Sequence, residues 1–373
     1  MIEIAVNNLA AATGARTVTG EADRVCRGCV IDSRQVEEGT IFVAFPGENV
    51  DGNDFASRAV QSGAGAVVMT REPEAELVSL AQDKGCAILL TDDPEEFLLR
   101  LAHTYRLELG CLVVGITGSI GKTTTKDVLA AVLAKRYRVW ATKGNFNNLI
   151  GMPLTVLSAP ADTEVLVLEM GMNHFGELSR MTAAAKPNLA VITNIGTSHI
   201  EFLGSREGIC KAKLEILEGL QEGGAAVLCG DEPLLWDKRE SLGCKVVTYG
   251  IKNSACDLTA DLHSDGTFDI VNNGLAAAHL PVGEKFTAKL SIPGKHNVLN
   301  ALAAAAVGLL LGETPELIAQ GLVSYQASGM RQNIYEQDGY QIYADCYNAS
   351  PDAMEATLSV LGGMAGDGRR FAV

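Results

Sequence analysis

The run Gly118-Ser119-Ile120-Gly121-Lys122-Thr123-Thr124-Thr125 carries the clearest chemistry in the chain. An apolar segment, Cys111 to Ile116, precedes it and reads as a buried strand. Lys126 to Leu133 follows with the apolar pattern of a helix packed on a sheet. Strand, glycine loop, Lys-Thr and helix together make a phosphate site. Glycines let the backbone approach a phosphate, and the loop and helix start aim N–H groups at it. Lys122 adds a charge near the terminal phosphates, and the Thr123 hydroxyl is placed for Mg2+. The general form of this loop has Gly five residues before Gly121, where this chain has Ile116.

Other reactive side chains follow strand-like runs. Val165-Leu166-Val167-Leu168 delivers Glu169 at its C-terminal end, the edge where open α/β sheets bind ligands. There Glu169 can meet the loop and hold Mg2+, or remain a plain strand-end acid. Leu189 to Asn194 leads to Thr197-Ser198-His199, so His199 is either a ligand or structural. Lys211-Ala212-Lys213-Leu214-Glu215-Ile216 is ambiguous, since helical lysines usually face solvent. An ammonium has donors and no acceptor. It could bind a metal only after reaction with CO2 to an anionic carbamate.

The elements that position these groups fall into three expected blocks. Residues 1–109 read as a small α/β unit, with strands at Ile41–Phe45, Ala66–Met69 and Cys86–Leu90, and helices over 54–63 and 94–109. In 110–328, apolar strands at 165–168, 189–193, 225–228 and 245–249 alternate with helices. That predicts a doubly wound, mostly parallel sheet. Residues 256–292 read as a small antiparallel insertion. A helix is expected over 297–311, and another after Thr314 as N-cap with Pro315 at its first position. Residues 329–373 read strand, strand, helix, then a strand over Arg370–Val373. A segment that short rarely folds alone, so the chain is expected to be part of a longer protein.

A chain of 373 residues with 47% hydrophobic and 20% charged residues suits two or three globular domains. Net charge is −15, which argues against a nucleic-acid binder. Local basic groups and N–H donors can still hold an anionic nucleotide. No basic stretch precedes an apolar run at the N-terminus, so no signal peptide is expected. The apolar run 301–311 is too short to span a bilayer. Nine cysteines are scattered, and Cys26-x-x-Cys29 has no second pair beside it, so structural thiols are expected. The composition describes a reduced, cytoplasmic enzyme without membrane insertion.

Gly115-Ile116-Thr117-Gly118-Ser119-Ile120-Gly121-Lys122-Thr123-Thr124 resembles the nucleotide loop of the Mur ligases, ATP-dependent amide-forming enzymes of peptidoglycan precursor synthesis. The likeness runs along the whole chain. Asp32-Ser33-Arg34, Gly39 to Ala44 and Asp51-Gly52 resemble their UDP-sugar-binding domain. Gly144-Asn145-Phe146-Asn147-Asn148 through Leu154, and Glu169-Met170-Gly171-Met172-Asn173, are most similar to the member that adds D-alanyl-D-alanine to a UDP-N-acetylmuramoyl-tripeptide. Asn194 to His199, Gly294 to Asn300 and Asp345-Cys346-Tyr347-Asn348-Ala349-Ser350-Pro351 fit as well. Two positions depart from the family pattern: Cys346 stands where Asp is usual, and Asp352 where Ser is common.

The resemblance implies a three-domain architecture: a UDP-sugar-binding domain (1–109), a central ATP-binding domain (110–328), and the incomplete start of a C-terminal α/β ligase domain (329–373). It implies that Thr117, Gly118, Ser119, Gly121, Lys122, Thr123, Thr124, Asn297, Arg331 and Asp345 serve ATP. Thr123, Glu169, His199 and carbamoylated Lys213 would hold two Mg2+ ions. Lys122, Lys213 and His199 would be catalytic, and Ser33, Arg34, Asn145, Asn147 and Asn148 would meet the UDP substrate. The implied partners are UDP-N-acetylmuramoyl-tripeptide and D-alanyl-D-alanine, bound by a monomer. The nearest rival is another ligase of the superfamily, such as the third-residue ligase, which is not similar at Asn145–Asn148. A folylpolyglutamate synthase would leave the block before the nucleotide loop unexplained. So would a P-loop switch ATPase.

Overall fold

Leu112–Thr117 is an apolar strand lying inside a nine-stranded sheet. In spatial order the strands are Lys285–Lys289, Thr267–Asn272, Leu258–Leu262, Lys245–Gly250, Ala225–Cys229, Leu189–Ile192, Leu112–Thr117, Val165–Glu169 and Val139–Ala141. The structure is a computed structural model that describes residues 1–327, 331–347, 349–364 and 368–373, with the side chain of Asp352 excluded. The expected block boundary at 328/329 and Asn348 lie outside the described residues, as does the Asp352 side chain.

All neighbours from Val139–Ala141 to Leu258–Leu262 pair in parallel. Parallel strands are covered on both faces, which explains why Val165–Glu169, Leu189–Ile192 and Ala225–Cys229 are buried at every position. The register sets Glu169 beside Ile116, and Ile192 beside Thr117. Strand ends at 117, 169 and 192 therefore open on one edge. The antiparallel piece expected at 256–292 is present and extends the main sheet: Leu258–Leu262 pairs in parallel with 245–250 and antiparallel with 267–272.

The N-terminal residues form a separate five-stranded sheet. Its order is Arg16–Thr19, Ala87–Leu90, Ala66–Met69, Ile41–Val43 and Cys29–Val30, with the first strand antiparallel to its neighbour. Helix Pro94–Leu109 leads out of it and packs against helices Gly151–Leu157 and Glu177–Ala185. Its start matches its sequence: Asp93 accepts from the N–H groups of Glu95 and Glu96, and Pro94 fills the first helical position.

After residue 331 the chain makes a hairpin, Asn333–Gln337 with Tyr340–Ala344, turning through Asp338-Gly339. Both turn residues have positive φ, 52° and 78°, the type I′ form that Asp-Gly favours. Helix Pro351–Gly363 follows, capped by Ser350. The strand expected at Arg370–Val373 is not formed: among the described residues, only Asn333–Gln337 and Tyr340–Ala344 pair in that region. A strand exists only by pairing, and none of the described strands lies alongside.

All nine cysteines are free thiols. Burial pushes the Cys26 and Cys29 thiols up to about 11 and about 12, which keeps them protonated and inert. No helix among the described residues is long and apolar enough to cross a membrane.

The nucleotide loop feeds helix Lys122–Leu133, which packs against helices Lys295–Leu310 and Pro315–Ser324. Gly321 makes the second contact possible: a Cβ there would stand 2.4 Å from Val132 Cα. Gly321→Ala should force the two helices apart and destabilise the protein by about 1–3 kcal/mol, read as a lower denaturation midpoint. An unchanged midpoint would contradict the packing.

Candidate active site

The loop 118–121 takes its shape from the segment after strand Leu189–Ile192. A Cβ on Gly118 would lie 1.9 Å from Thr193 Oγ1, so only glycine fits. Thr193 Oγ1 donates to Ile120 O at 2.6 Å. Asn194 closes on the same residue from both sides, accepting from Ile120 N–H at 2.9 Å and donating to Ile120 O at 3.1 Å. Ser119 Oγ accepts from Gly196 N–H at 2.8 Å. Gly121, at φ 79°, begins helix Lys122–Leu133.

Lys122 Nζ folds back on the loop and donates to Gly118 O at 2.9 Å and Ser119 O at 3.4 Å. Burial lowers its pKa, the Glu169 charge raises it, and Arg331 lowers it further. Two clefts meet at this lysine. One, of about 440 Å³, runs from the loop past Glu169 to Arg331 and Asp345. The other, of about 210 Å³, is lined by His199, Lys213 and Glu177. Ser119, Lys122, Asn147, Asn148 and Asn173 line both.

The asparagine loop is pinned to the end of strand Val165–Glu169. Asn147 Nδ2 donates to Glu169 Oε1 at 2.7 Å, and Asn147 O accepts from Gly171 N–H at 2.7 Å. Asn148 Oδ1 accepts from Ile150 and Gly151 N–H, which opens helix Gly151–Leu157. The second oxygen of Glu169 is buried with no partner among the described residues, and so is Thr117 Oγ1. A buried carboxylate oxygen left unsatisfied costs about 1–3 kcal/mol or more. A hard cation that prefers oxygen ligands suits it.

His199 sits at φ 63°, a left-handed turn ahead of helix Ile200–Leu203. Burial, then the nearby Lys213 and Lys122 charges, hold its pKa below the ordinary range, which leaves a lone pair free for a ligand. Lys213 is 2% exposed, and its pKa is driven well below the usual lysine range by burial first and Lys122 second. The neutral amine this favours is the form that can react with CO2. Three converging His, Cys, Asp or Glu groups do not occur among the described residues. The predicted metal ligands instead divide, with Thr123 and Glu169 on the larger cleft and His199 and Lys213 on the smaller.

Most predicted residues are brought together here. Ser119, Gly121, Lys122, Thr123, Thr124, Asn145, Asn147, Asn148, Arg331 and Asp345 line the larger cleft, and Gly118 the smaller. Thr117 is buried just beneath. Asn297 is fully buried and lines neither cleft. Its amide goes to Gln332 and Pro293 O. Ser33 and Arg34 also line neither. They lie in a short turn of the N-terminal unit, where Arg34 pairs with Asp32 and holds that carboxyl at about 2. The sequence reading singled out neither His296, Asn300 nor Gln332 as a site residue, yet all three line the larger cleft. His296 and Asn300 sit in the quoted 294–300 motif, and Gln332 directly follows Arg331.

Comparison with known proteins agrees with this arrangement. Residues 116–308 match the Mur ligase middle domain, and residues 25–106 match the Mur ligase family catalytic domain. The UDP-N-acetylmuramoyl-tripeptide--D-alanyl-D-alanine ligase of Bacillus subtilis is 40% identical over 100% of this chain and 78% of its own length. The Escherichia coli protein of the same name is 33% identical over 92% and 74%. The crystal structure of MurF from Acinetobacter baumannii superposes with a TM-score of 0.86 at 29% identity, covering 98% of this chain and 78% of that one. MurF from Thermotoga maritima, solved in complex with ADP, gives 0.79 at 31% identity, covering 91% and 75%. With residues 116–308 matching the middle domain and a 40%-identical relative covered over 78% of its length, the chain belongs to the Mur ligase family.

Proposed function

We propose that this chain catalyses ATP-dependent amide-bond formation, joining UDP-N-acetylmuramoyl-tripeptide to D-alanyl-D-alanine in peptidoglycan precursor synthesis. The observation that carries the reading is the shared wall of the two clefts, Lys122 with Asn147 and Asn148. A phosphate in one cleft and a carboxylate in the other would meet there. Residues 1–109 would hold the UDP end through Ser33 and Arg34, residues 110–328 the ATP, and residues 329–373 would contribute Arg331 and Asp345. Both nucleotides belong to the cytoplasm.

The terminal carboxylate of the tripeptide attacks the γ-phosphorus of ATP, and ADP leaves. Lys122, now turned from its loop carbonyls toward the phosphates, offsets charge on the transferring group. Loop N–H groups hold the phosphates in line. Catalysis here is positioning and electrostatics. The amine of D-alanyl-D-alanine then attacks the acyl phosphate carbonyl, a tetrahedral intermediate forms, and phosphate leaves with the amide complete. Asn145, Asn147 and Asn148 border the place where the two peptide ends meet. Two Mg2+ ions, one beside Thr123 and Glu169 and one beside His199 and a carbamate on Lys213, would supply Lewis-acid charge neutralisation. The burial that drives the Lys213 pKa down supports the carbamate, and the orphaned Glu169 oxygen supports the first ion.

Calorimetric titration with UDP-N-acetylmuramoyl-tripeptide, against the UDP-dipeptide, tests the reading directly. Clear preference for the tripeptide is expected, and no binding of either would return the chain to an unassigned ligase of the family. Lys122→Ala should lower turnover at least about 100-fold while leaving UDP-substrate affinity nearly intact. Undiminished turnover would remove Lys122 from the chemistry. Lys213→Ala should lose activity that short carboxylic acids partly restore, because they replace the carbamate oxygens. Full activity without added acid would exclude the carbamate.

A further inference from the structure

Gln332 has no place in the chemistry above, yet its side chain is held at both ends. Its Oε1 accepts from Asn297 Nδ2 at 2.6 Å. That bond fixes which end of the amide is oxygen, so Nε2 must be the donor toward His296 Nε2, 2.9 Å away. The imidazole therefore presents a lone pair at Nε2 and carries its proton on Nδ1. Burial, the largest influence on His296, favours this neutral form, while the Asp345 charge acts the other way.

The chain of amides continues inward. Asn297 Oδ1 accepts from Asn300 Nδ2 at 3.2 Å. Asn300 Oδ1 accepts from Thr125 Oγ1 at 3.0 Å. The same Asn300 oxygen lies 2.9 Å from where a Cβ on Gly121 would stand, and Thr125 N–H donates to Gly121 O at 2.8 Å. Asn297 and Thr125 are fully buried and Asn300 is 7% exposed, so each bond, once broken, leaves a polar group without water. Every donor and acceptor has one orientation, and turning any amide over breaks at least two bonds.

The outer end of this chain is unusual in its backbone. Gln332 has φ 53°, an uncommon conformation for a residue other than glycine. Adjacent residues of an extended chain point to opposite sides. Here Arg331 and Gln332 both line the larger cleft, and the Arg331 guanidinium lies 3.8 Å from the Tyr347 ring centroid. The left-handed turn and the amide relay hold Arg331 over the nucleotide loop together.

We propose that Gln332 is a positioning residue that couples the segment carrying Arg331 to the nucleotide loop through the relay Gln332–Asn297–Asn300–Thr125. It touches no reacting atom and acts through Asn297 at one end and Arg331 at the other. The assignment rests on the ATP reading of the larger cleft, and it predicts energetic coupling between Gln332 and Thr125, which share no direct bond.

The test is a double-mutant cycle on affinity for a non-hydrolysable ATP analogue with MgCl2, measured by calorimetry on the full chain. Gln332→Leu keeps the bulk and removes the amide, and Thr125→Val removes only the hydroxyl. Each single change should weaken binding about five- to tenfold, and the pair no more than the worse single change. Additive losses, or no loss, with a native chain that binds the analogue would overturn the relay alone. A native chain that does not bind the analogue would overturn the ATP reading and the relay with it. The 15N shifts of the His296 ring in the native protein give a readout independent of any variant's folding. A proton on Nδ1 supports the relay, and a proton on Nε2 overturns it.

Discussion

The seam between the glycine loop and residues 193–196 is the constraint on which the site depends. Loop residues at a phosphate site must keep N–H groups to spare, so much of the loop's support has to come from its other atoms. Here Asn194 takes the N–H groups of Ser119 and Ile120, and the rest of the loop is held through side chains and a carbonyl. Thr193 and Asn194 take the Ile120 carbonyl, and Ser119 Oγ takes Gly196 N–H. Gly118 has no side chain because Thr193 occupies that space. The neighbouring parallel strands Leu112–Thr117 and Leu189–Ile192 bring the two segments side by side, with Ile192 in register with Thr117. Strand pairing sets the loop's shape before any ligand arrives, so binding need not order it.

The same strand register produces the paired clefts. Glu169 ends its strand beside Ile116, which puts its carboxylate next to the loop. Asn147 then ties the 144–148 loop to that carboxylate. A reaction between two anions, a carboxylate and a triphosphate, needs positive charge where they meet and low charge density elsewhere. A chain of net charge −15 supplies that locally, with Lys122, Lys213, Arg331 and His199 on the cleft walls. The acidic remainder of the surface faces water, where solvent and salt screen it from the site.

Much of this was legible in the sequence because it rests on local pattern. Buried parallel strands read as short apolar runs, and 165–169, 189–192 and 225–229 are found within a residue of expectation. Thr314-Pro315 announced its helix by cap chemistry. Short strands such as Arg16–Thr19 and Val139–Ala141 were not legible, since three or four residues of mixed polarity carry no period. Arg370–Val373 failed for the complementary reason: its composition suits a strand, but a strand also needs a partner. In the site, the residue types that bear charge were read from motif and resemblance. Asn297 was read as a nucleotide contact and is instead a buried link, and Asn300 and Gln332 were not singled out, because the roles of these amides follow from which buried neighbour each one meets, and sequence spacing does not encode that.

Charge also gives the site its character. Lys122 lies close enough to Lys213 to lower that lysine's preference for the ammonium form, Arg331 does the same to Lys122, and His199 is depressed by both lysines. Three buried basic groups held together, only partly balanced by Glu169 and Glu177, are an unfavourable arrangement that folding elsewhere must offset. A phosphate beside Lys122 favours its ammonium form against burial and Arg331. An acyl carboxylate arriving at the same lysine adds to that match. The site is therefore best matched to its surroundings when both anions are present together, which suits an enzyme that must not spend ATP on water.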